Sequence, residues 1–296
     1  MSTAFVFPGQ GAQHVGMGQD FIDNRPAAKA LFDEASEILG FNLAEVCVNG
    51  PEEELLRSDI TQPAIFVVSA AAQLAALENE AKPDVVAGLS SGEWAALYAA
   101  GVVSFADAIR ILKARGEFMQ AACEASQGGM LAVIGSDNET LAEICEKTGI
   151  YVANFNSPGQ TVLSGSIEGI QAAEPLAKEA GAKRAIILKT AGAFHSPLMQ
   201  PAADQFASFL EDVDFAEPSI PVLSNVTGGT HTSTTDMKRL MAEQITSSVE
   251  WVKNVETLVE TGCTRFVECG PGKVLSGLIK RIHKGAETQN VQDLSA

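Results

Sequence analysis

DVVAGLSSGEWAAL, residues 84–97, passes from an apolar run through a glycine-flanked serine pair into helix-forming sequence. Val85, Val86 and Ala87 are too few for a buried helix and read as a short interior strand. Gly88-Leu89-Ser90-Ser91-Gly92 then turns the chain sharply, and helix formers follow at once. A strand that feeds a helix through so tight a turn is the connection of an α/β fold. Flanking glycines remove side chains where the chain folds back, and the turn lifts the Ser90 hydroxyl above the sheet edge. The free N–H groups and positive dipole end of the next helix favour a developing anion there. A second reading stands beside this one. Ser90 and Glu93 match S-x-x-E, a capping box in which the serine only closes the helix end, and the two roles can coexist.

Outward from this turn, the order of patterns extends the α/β reading. Residues 3–7 (TAFVF) predict a buried strand, followed by the loop PGQGAQ. Residues 24–40 predict a helix, with Asn24 as cap, Pro26 early and Gly40 as stop. A core helix is expected over about 61–79 and another from Ser104, its cap, to about Ala122. SQGG at 126–129 reads as a hinge. Strands are then expected at 128–135, 150–156, 160–165 and 183–189, with helices at 137–148 and 166–181. That βαββαβ order is ferredoxin-like. The chain thus divides into a larger unit, residues 1–126 and 191–296, with a ferredoxin-like insert at 127–190. Beyond the insert come a helix near 197–212, a strand at IPVLSN (220–225), a loop at 227–236, helices near 236–246 and from 250, a strand at 265–270 and a last helix over 273–284.

Composition limits the function classes. The 296 residues are 46% hydrophobic and 19% charged, with a net charge of −17. So acidic a chain argues against a nucleic-acid surface. The longest apolar stretch, Ala64 to Leu77, includes Ser69 and Gln73 and falls short of the roughly 20 residues a bilayer span needs. Nothing at the start resembles a signal peptide, so neither membrane insertion nor export is expected. Five scattered cysteines without a CxxC pair give no disulfide framework or metal site and suit a reducing cytoplasm. No metal or resident cofactor is called for. Lys273, Lys280, Arg281 and Lys284 form a local basic segment, either a docking patch for an anionic partner or an ordinary solvated helix face.

A serine hydroxyl needs a base. Of four histidines, His231 falls in a polar loop, His283 in the terminal basic helix, and His14 after the first glycine loop. His195, in TAGAFHSPLM, lies just beyond a strand end, where α/β folds gather catalytic groups. It is the candidate base, oriented by a carboxylate or a backbone carbonyl. On the helix from Ser104, the apolar stripe Ala108, Ile111, Leu112 and Met119 runs through Arg115. A buried guanidinium needs an anion, either an internal carboxylate in a structural ion pair or a carboxylate on a substrate. Gly116 beside it admits a close neighbour. FPGQGAQ fits neither G-x-G-x-x-G nor a P-loop. It could still offer a backbone N–H to a site, with Gln13 the candidate.

Taken together, FPGQGAQ, GLSSGE, RGEFMQ, NFNSPGQ, GAFHSPLM and VECGPGKVL resemble, in order, the motifs of the malonyl-CoA:acyl carrier protein transacylase family. The resemblance spans nearly the whole chain. It implies an α/β-hydrolase-like larger subdomain around a parallel sheet with a ferredoxin-like insert. It implies Ser90 as acyl acceptor, His195 as general base and Arg115 as clamp for the malonyl carboxylate. It also implies the N–H groups of Gln13 and Ser91 as oxyanion hole, and Phe194 as a limit on branched acyl groups. The carbonyl that orients the histidine would be that of Glu250, in SSVEW where the family commonly has NPVQW. Leu89 and Ser91 stand where the family commonly has His and Leu. The implied reaction is ping-pong transfer of malonyl from malonyl-CoA, a substrate and not a cofactor, to the phosphopantetheine thiol of an acyl carrier protein. The enzyme is expected to be cytoplasmic and monomeric and to supply fatty-acid or polyketide synthesis. A serine hydrolase would use the same elbow without needing Arg115, and a non-catalytic scaffold would need none of the three side chains.

Overall fold

A computed structural model describes residues 2–190 and 192–292. The ends of the expected units at 1, 191 and 296 fall outside those residues. Two four-stranded sheets organise the chain. The first is parallel, built from β1 (Ser2–Phe7), β2 (Val85–Gly88), β7 (Cys263–Cys269) and β8 (Glu287–Val291) in the order β2-β1-β7-β8. The second is antiparallel, built from β3 (Gly128–Ile134), β4 (Tyr151–Ser157), β5 (Gln160–Ser166) and β6 (Arg184–Ile187) in the order β4-β5-β3-β6. Helices Asn138–Thr148 and Ile167–Glu179 complete the βαββαβ unit anticipated from the sequence.

The period-two alternation of β1 explains its central place. Phe5 and Phe7 point into one core with Val86 and Val267, against helices Ser58–Glu78, Gly92–Ala99 and Phe105–Ala125. Ala4 and Val6 point the opposite way, with Val85, Ala87 and Phe266, against helices Trp251–Glu260 and Val274–Ile282. Burial on both faces is why these parallel strands read as nearly continuous apolar runs. A third core, around Leu131, Leu163, Ile144 and Ile170, serves the antiparallel sheet. The helix Ser58–Glu78 is long and apolar enough to cross a membrane, but 83% of its apolar window is buried inside the fold. All five cysteines are free and buried.

Several local expectations change. Asn24 does not cap the helix Pro26–Leu39. It ends the preceding helix, Gln19–Asn24, and Arg25 takes the cap position without a side-chain bond. The segment 220–225 makes only isolated bridges, Val222 to Val86 in parallel and Leu223 to Thr230 in antiparallel sense. Pro221 accepts from the Val86 N–H but has none to return, so the ladder stops. The polar strand β8 carried no sequence signal, because only Val291 of its five residues is buried. The glycines expected as a hinge open β3, and a Cβ on Gly128 would press on Ala193. At Gly116 the close neighbour is the backbone of Ser58 and Asp59, at the start of a packed helix.

Candidate active site

The carboxyl ends of β1 and β2, adjacent and in register from Ala4–Val85 to Phe7–Gly88, launch the two loops that build the site. After β2 the chain turns through Ser90 at φ 53°, a left-handed conformation that costs a non-glycine residue on the order of 1–3 kcal/mol. Both flanking glycines are sterically required. A Cβ on Gly88 would run into the backbone of Gly92, and one on Gly92 into the carbonyls of Phe7 and Pro8. The turn is therefore an elbow and not a capping box. Ser91 occupies the cap position of the helix with no side-chain bond, and Glu93 turns away from the helix end.

The Ser90 hydroxyl lies 2.8 Å from His195 Nε2. His195 also sits at positive φ, 58°, and its other nitrogen, Nδ1, is 2.8 Å from the Gln244 carbonyl. A carbonyl can only accept, so Nδ1 carries the proton and Nε2 is left free to take one from the serine. The sequence carry-over to Glu250 is thus corrected: Gln244, just after the helix Thr234–Glu243, orients the base. Burial, then the nearby Arg115 cation, lower the His195 pKa to about 4, partly offset by the carbonyls of Gln244 and Ser247. The imidazole is therefore neutral at physiological pH, with Nε2 free to accept a proton.

Arg115 is 1% exposed and stands on the buried stripe with Ala108, Ile111, Leu112 and Met119. Its partners among the described residues are two neutral carbonyl oxygens. Nη1 donates to Gln62 Oε1 at 2.7 Å and Nη2 to Gln244 Oε1 at 2.9 Å. Its Nε has no partner. Burial lowers its pKa to about 10, against a smaller opposing pull from Glu93, so it stays charged. Among the described residues no carboxylate bonds it directly, and the structural ion pair that the sequence left open is not formed there. Gln244 was missed at the sequence level. Its Nε2 donates to the Ser90 carbonyl at 3.2 Å, so one residue touches the serine, the histidine and the arginine. No glutamine carries a sequence signal for such a junction.

A cavity of about 350 Å³ opens over Ser90 and His195, lined by the loops after β1 and β2, by Met130 and Asn154 of the antiparallel sheet, and by Met119 and Phe194. The Ser91 N–H has no protein partner among the described residues and lies at the N-terminal end of the helix after the elbow, an end that favours negative charge. The first loop makes its closest approach at Gly9, where a Cβ would strike the Leu89 carbonyl. Gln13 lies further along and folds its carboxamide back onto the Gly11 N–H, at 2.6 Å. The residue next to the contact is Gln10, whose N–H also lacks a protein partner among the described residues. Phe194 is 7% exposed at the cavity wall. His231, read from sequence as a loop residue, has its side chain wholly buried against Glu93.

A serine on a strand–helix elbow, paired with a carbonyl-oriented histidine beside a carboxylate-free buried cation, defines an α/β protein of the serine acyl-transfer class. Residues 4–294 match the acyl transferase domain family. The malonyl CoA-acyl carrier protein transacylase of Bacillus subtilis is 43% identical over 98% of this chain and 93% of its own length. An acyl carrier protein S-malonyltransferase from Vibrio cholerae superposes with a TM-score of 0.95 at 40% identity, covering 100% of this chain and 98% of that one. A malonyl-transacylase solved in complex with its type II PKS acyl-carrier protein gives 0.97 at 39% identity, covering 100% and 97%. The chain belongs to the malonyl CoA-acyl carrier protein transacylase family.

Proposed function

We infer that this protein moves a malonyl group from malonyl-CoA to the phosphopantetheine thiol of an acyl carrier protein through a malonyl ester on Ser90. The observation that carries the reading is the 2.8 Å contact between Ser90 Oγ and His195 Nε2, joined through Gln244 to a guanidinium with uncommitted donors. The malonyl carboxylate meets Arg115, which has five N–H groups in all and a planar fork suited to carboxylates. His195 Nε2 takes the hydroxyl proton as Oγ attacks the thioester carbonyl. The tetrahedral oxyanion is stabilised by the N–H groups of Ser91 and, in place of the expected Gln13, Gln10. The intermediate collapses, His195 returns the proton to the departing CoA sulfur, and the malonyl-serine ester remains. A carrier thiol then gives its proton to His195, attacks the ester and regenerates Ser90 by the same steps reversed.

In this reading the 127–190 unit forms the second wall of the cavity, and Phe194 restricts branching beside the acyl carbon. Met119 and Met130 line the acyl end with apolar surface, which keeps water from the ester. Intact-mass spectrometry after mixing with malonyl-CoA tests the central step. A malonyl adduct is expected on the wild-type chain and absent from Ser90→Ala. Free malonate released with no adduct on the protein would instead identify a hydrolase.

A further inference from the structure

Behind the elbow lies a buried polar cluster that the reaction steps do not use. Glu93, 1% exposed, receives three donors. His231 Nε2 approaches Oε1 at 2.7 Å, while the Asn225 N–H at 3.0 Å and Gln244 Nε2 at 2.6 Å both approach Oε2. Asn225 in turn holds the elbow's backbone. Its Oδ1 accepts from the Ser90 N–H at 2.6 Å, and its Nδ2 donates to the Gly88 carbonyl at 2.7 Å. One carboxylate therefore anchors the residues on both sides of the serine.

We propose that Glu93, held by His231, is a positioning residue for acyl transfer, because it fixes which way the Gln244 carboxamide points and so how Arg115 is presented to the substrate carboxylate. The proposal rests on the reading given under the proposed function. A primary amide can flip by half a turn at little cost unless its neighbours forbid it. Here Nε2 faces three acceptors, Glu93 Oε2, the Ser90 carbonyl and, more distantly, Asn225 Oδ1, while Oε1 faces the Arg115 Nη2 donor. In the flipped state a carbonyl oxygen would meet a carboxylate, and an NH2 would meet a guanidinium. Both are repulsive contacts in a dry site, where an unmade hydrogen bond is most costly. The backbone carbonyl of Gln244 holds His195; a carboxamide flip does not turn that carbonyl, but a side chain released from Glu93 lets the residue shift, and the shift reaches the base as well as the clamp. His231, with its side chain wholly buried, turns Nε2 to Glu93, and its Nδ1 has no hydrogen-bond partner among the described residues. It holds the far oxygen of the carboxylate, so that the near one faces Gln244.

Glu93→Gln, His231→Leu and His231→Gln, compared with wild type, test this. Malonyl- and acetyl-serine formation are timed by mass, each variant's melt is recorded, and the His195 tautomer is read by ring ¹⁵N NMR. Replacing the carboxylate sets an NH2 against donors and loses one or two charge-assisted bonds. The malonyl-over-acetyl preference of Glu93→Gln is expected to fall at least about tenfold, with His195 no longer held as a single Nδ1–H tautomer. His231→Leu is expected to lose preference in the same direction. His231→Gln, which keeps a donor toward Oε1, is expected to recover part of it. A Glu93→Gln chain that keeps the wild-type preference overturns the proposal, whatever happens to its melting temperature. If Glu93→Gln does not fold, the histidine pair decides: equal preference in His231→Leu and wild type overturns it. Failure of wild type itself to take up malonyl would count against the proposed function. The tautomer comparison, which needs no substrate, would then still decide the positioning role.

Discussion

At the residue scale, the chemistry depends on two side chains whose charges are set by burial. His195 is kept neutral by a site that also holds a cation. Its folded pKa of about 4 lies below the ordinary histidine value of 6.5, so the folded state disfavours the proton. Acylation of Ser90 is therefore expected to hold steady above about pH 5 and to fail as pH drops through the folded value. Arg115→Ala removes one cause of the depression, so its acid limb should move to higher pH. The pH profile of malonyl-serine formation in wild type and variant checks this. By linkage, a histidine buried neutral contributes stability above its unfolded pKa that is lost as pH falls toward 4. Arg115→Ala should also lose preference for malonyl over acetyl. Removing one partner of a buried charged pair costs roughly 3–5 kcal/mol, and acetyl has no carboxylate to lose. Equal discrimination in both proteins would remove the clamp role.

At the element scale, the strand–turn–helix around Ser90 can form only because two backbone segments touch. Gly88→Ala would drive a methyl into Gly92, and Gly92→Ala would drive one into the β1 carbonyls. Neither obstacle is a flexible side chain that could swing aside. Each substitution is expected to lower stability by more than about 1 kcal/mol, beyond an ordinary surface change, and to slow acylation more than it lowers the melting temperature. Thermal melts paired with adduct kinetics read the two effects. Much at this scale was legible in the sequence. A continuous apolar run placed β1, the βαββαβ order placed the antiparallel sheet, and Ser104 closes its helix through the Asp107 N–H. The strand expected at 220–225 was not legible as a bridge, because an apolar run does not reveal that Pro221 ends the ladder. β8 was missed for the opposite reason: pairing with β7 makes it a strand while its side chains remain polar.

At the scale of the whole molecule, the basic helix Val274–Ile282 joins the site to the surface. Leu275 and Leu278 face the cavity and core, while Lys280 and Arg281 are exposed. Arg281 donates to Gln160 on the second sheet, and the buried Glu268 accepts from the helix's first N–H groups, of Leu275 and Ser276. The helix thus borders the cavity from one sheet to the other, with its cations outward on a chain whose net charge is −17. Charge reversal of Lys280 and Arg281 is expected to reduce transfer to an acidic carrier and flatten its salt dependence, because screening acts on exposed charges. Acylation by malonyl-CoA should change little. Carrier turnover across a salt series, beside the single-turnover acylation rate, measures both.

Residue spacing pointed to the α/β class, the glycine elbow and the βαββαβ order, because each depends on local periodicity or sterics, and it offered Ser90, His195 and Arg115 as candidates that the family resemblance then singled out. Tertiary structure alone decided what those side chains mean to one another. Ser90, Arg115 and His195 come from separate segments, and the residue that joins them, Gln244, is a neutral amide whose importance lies wholly in its neighbours. The same holds for Glu93, which the sequence offers as a helix cap and the fold turns inward. A capping motif depends on residues three apart, whereas a buried carboxylate is defined by the donors that packing brings to it from far along the chain.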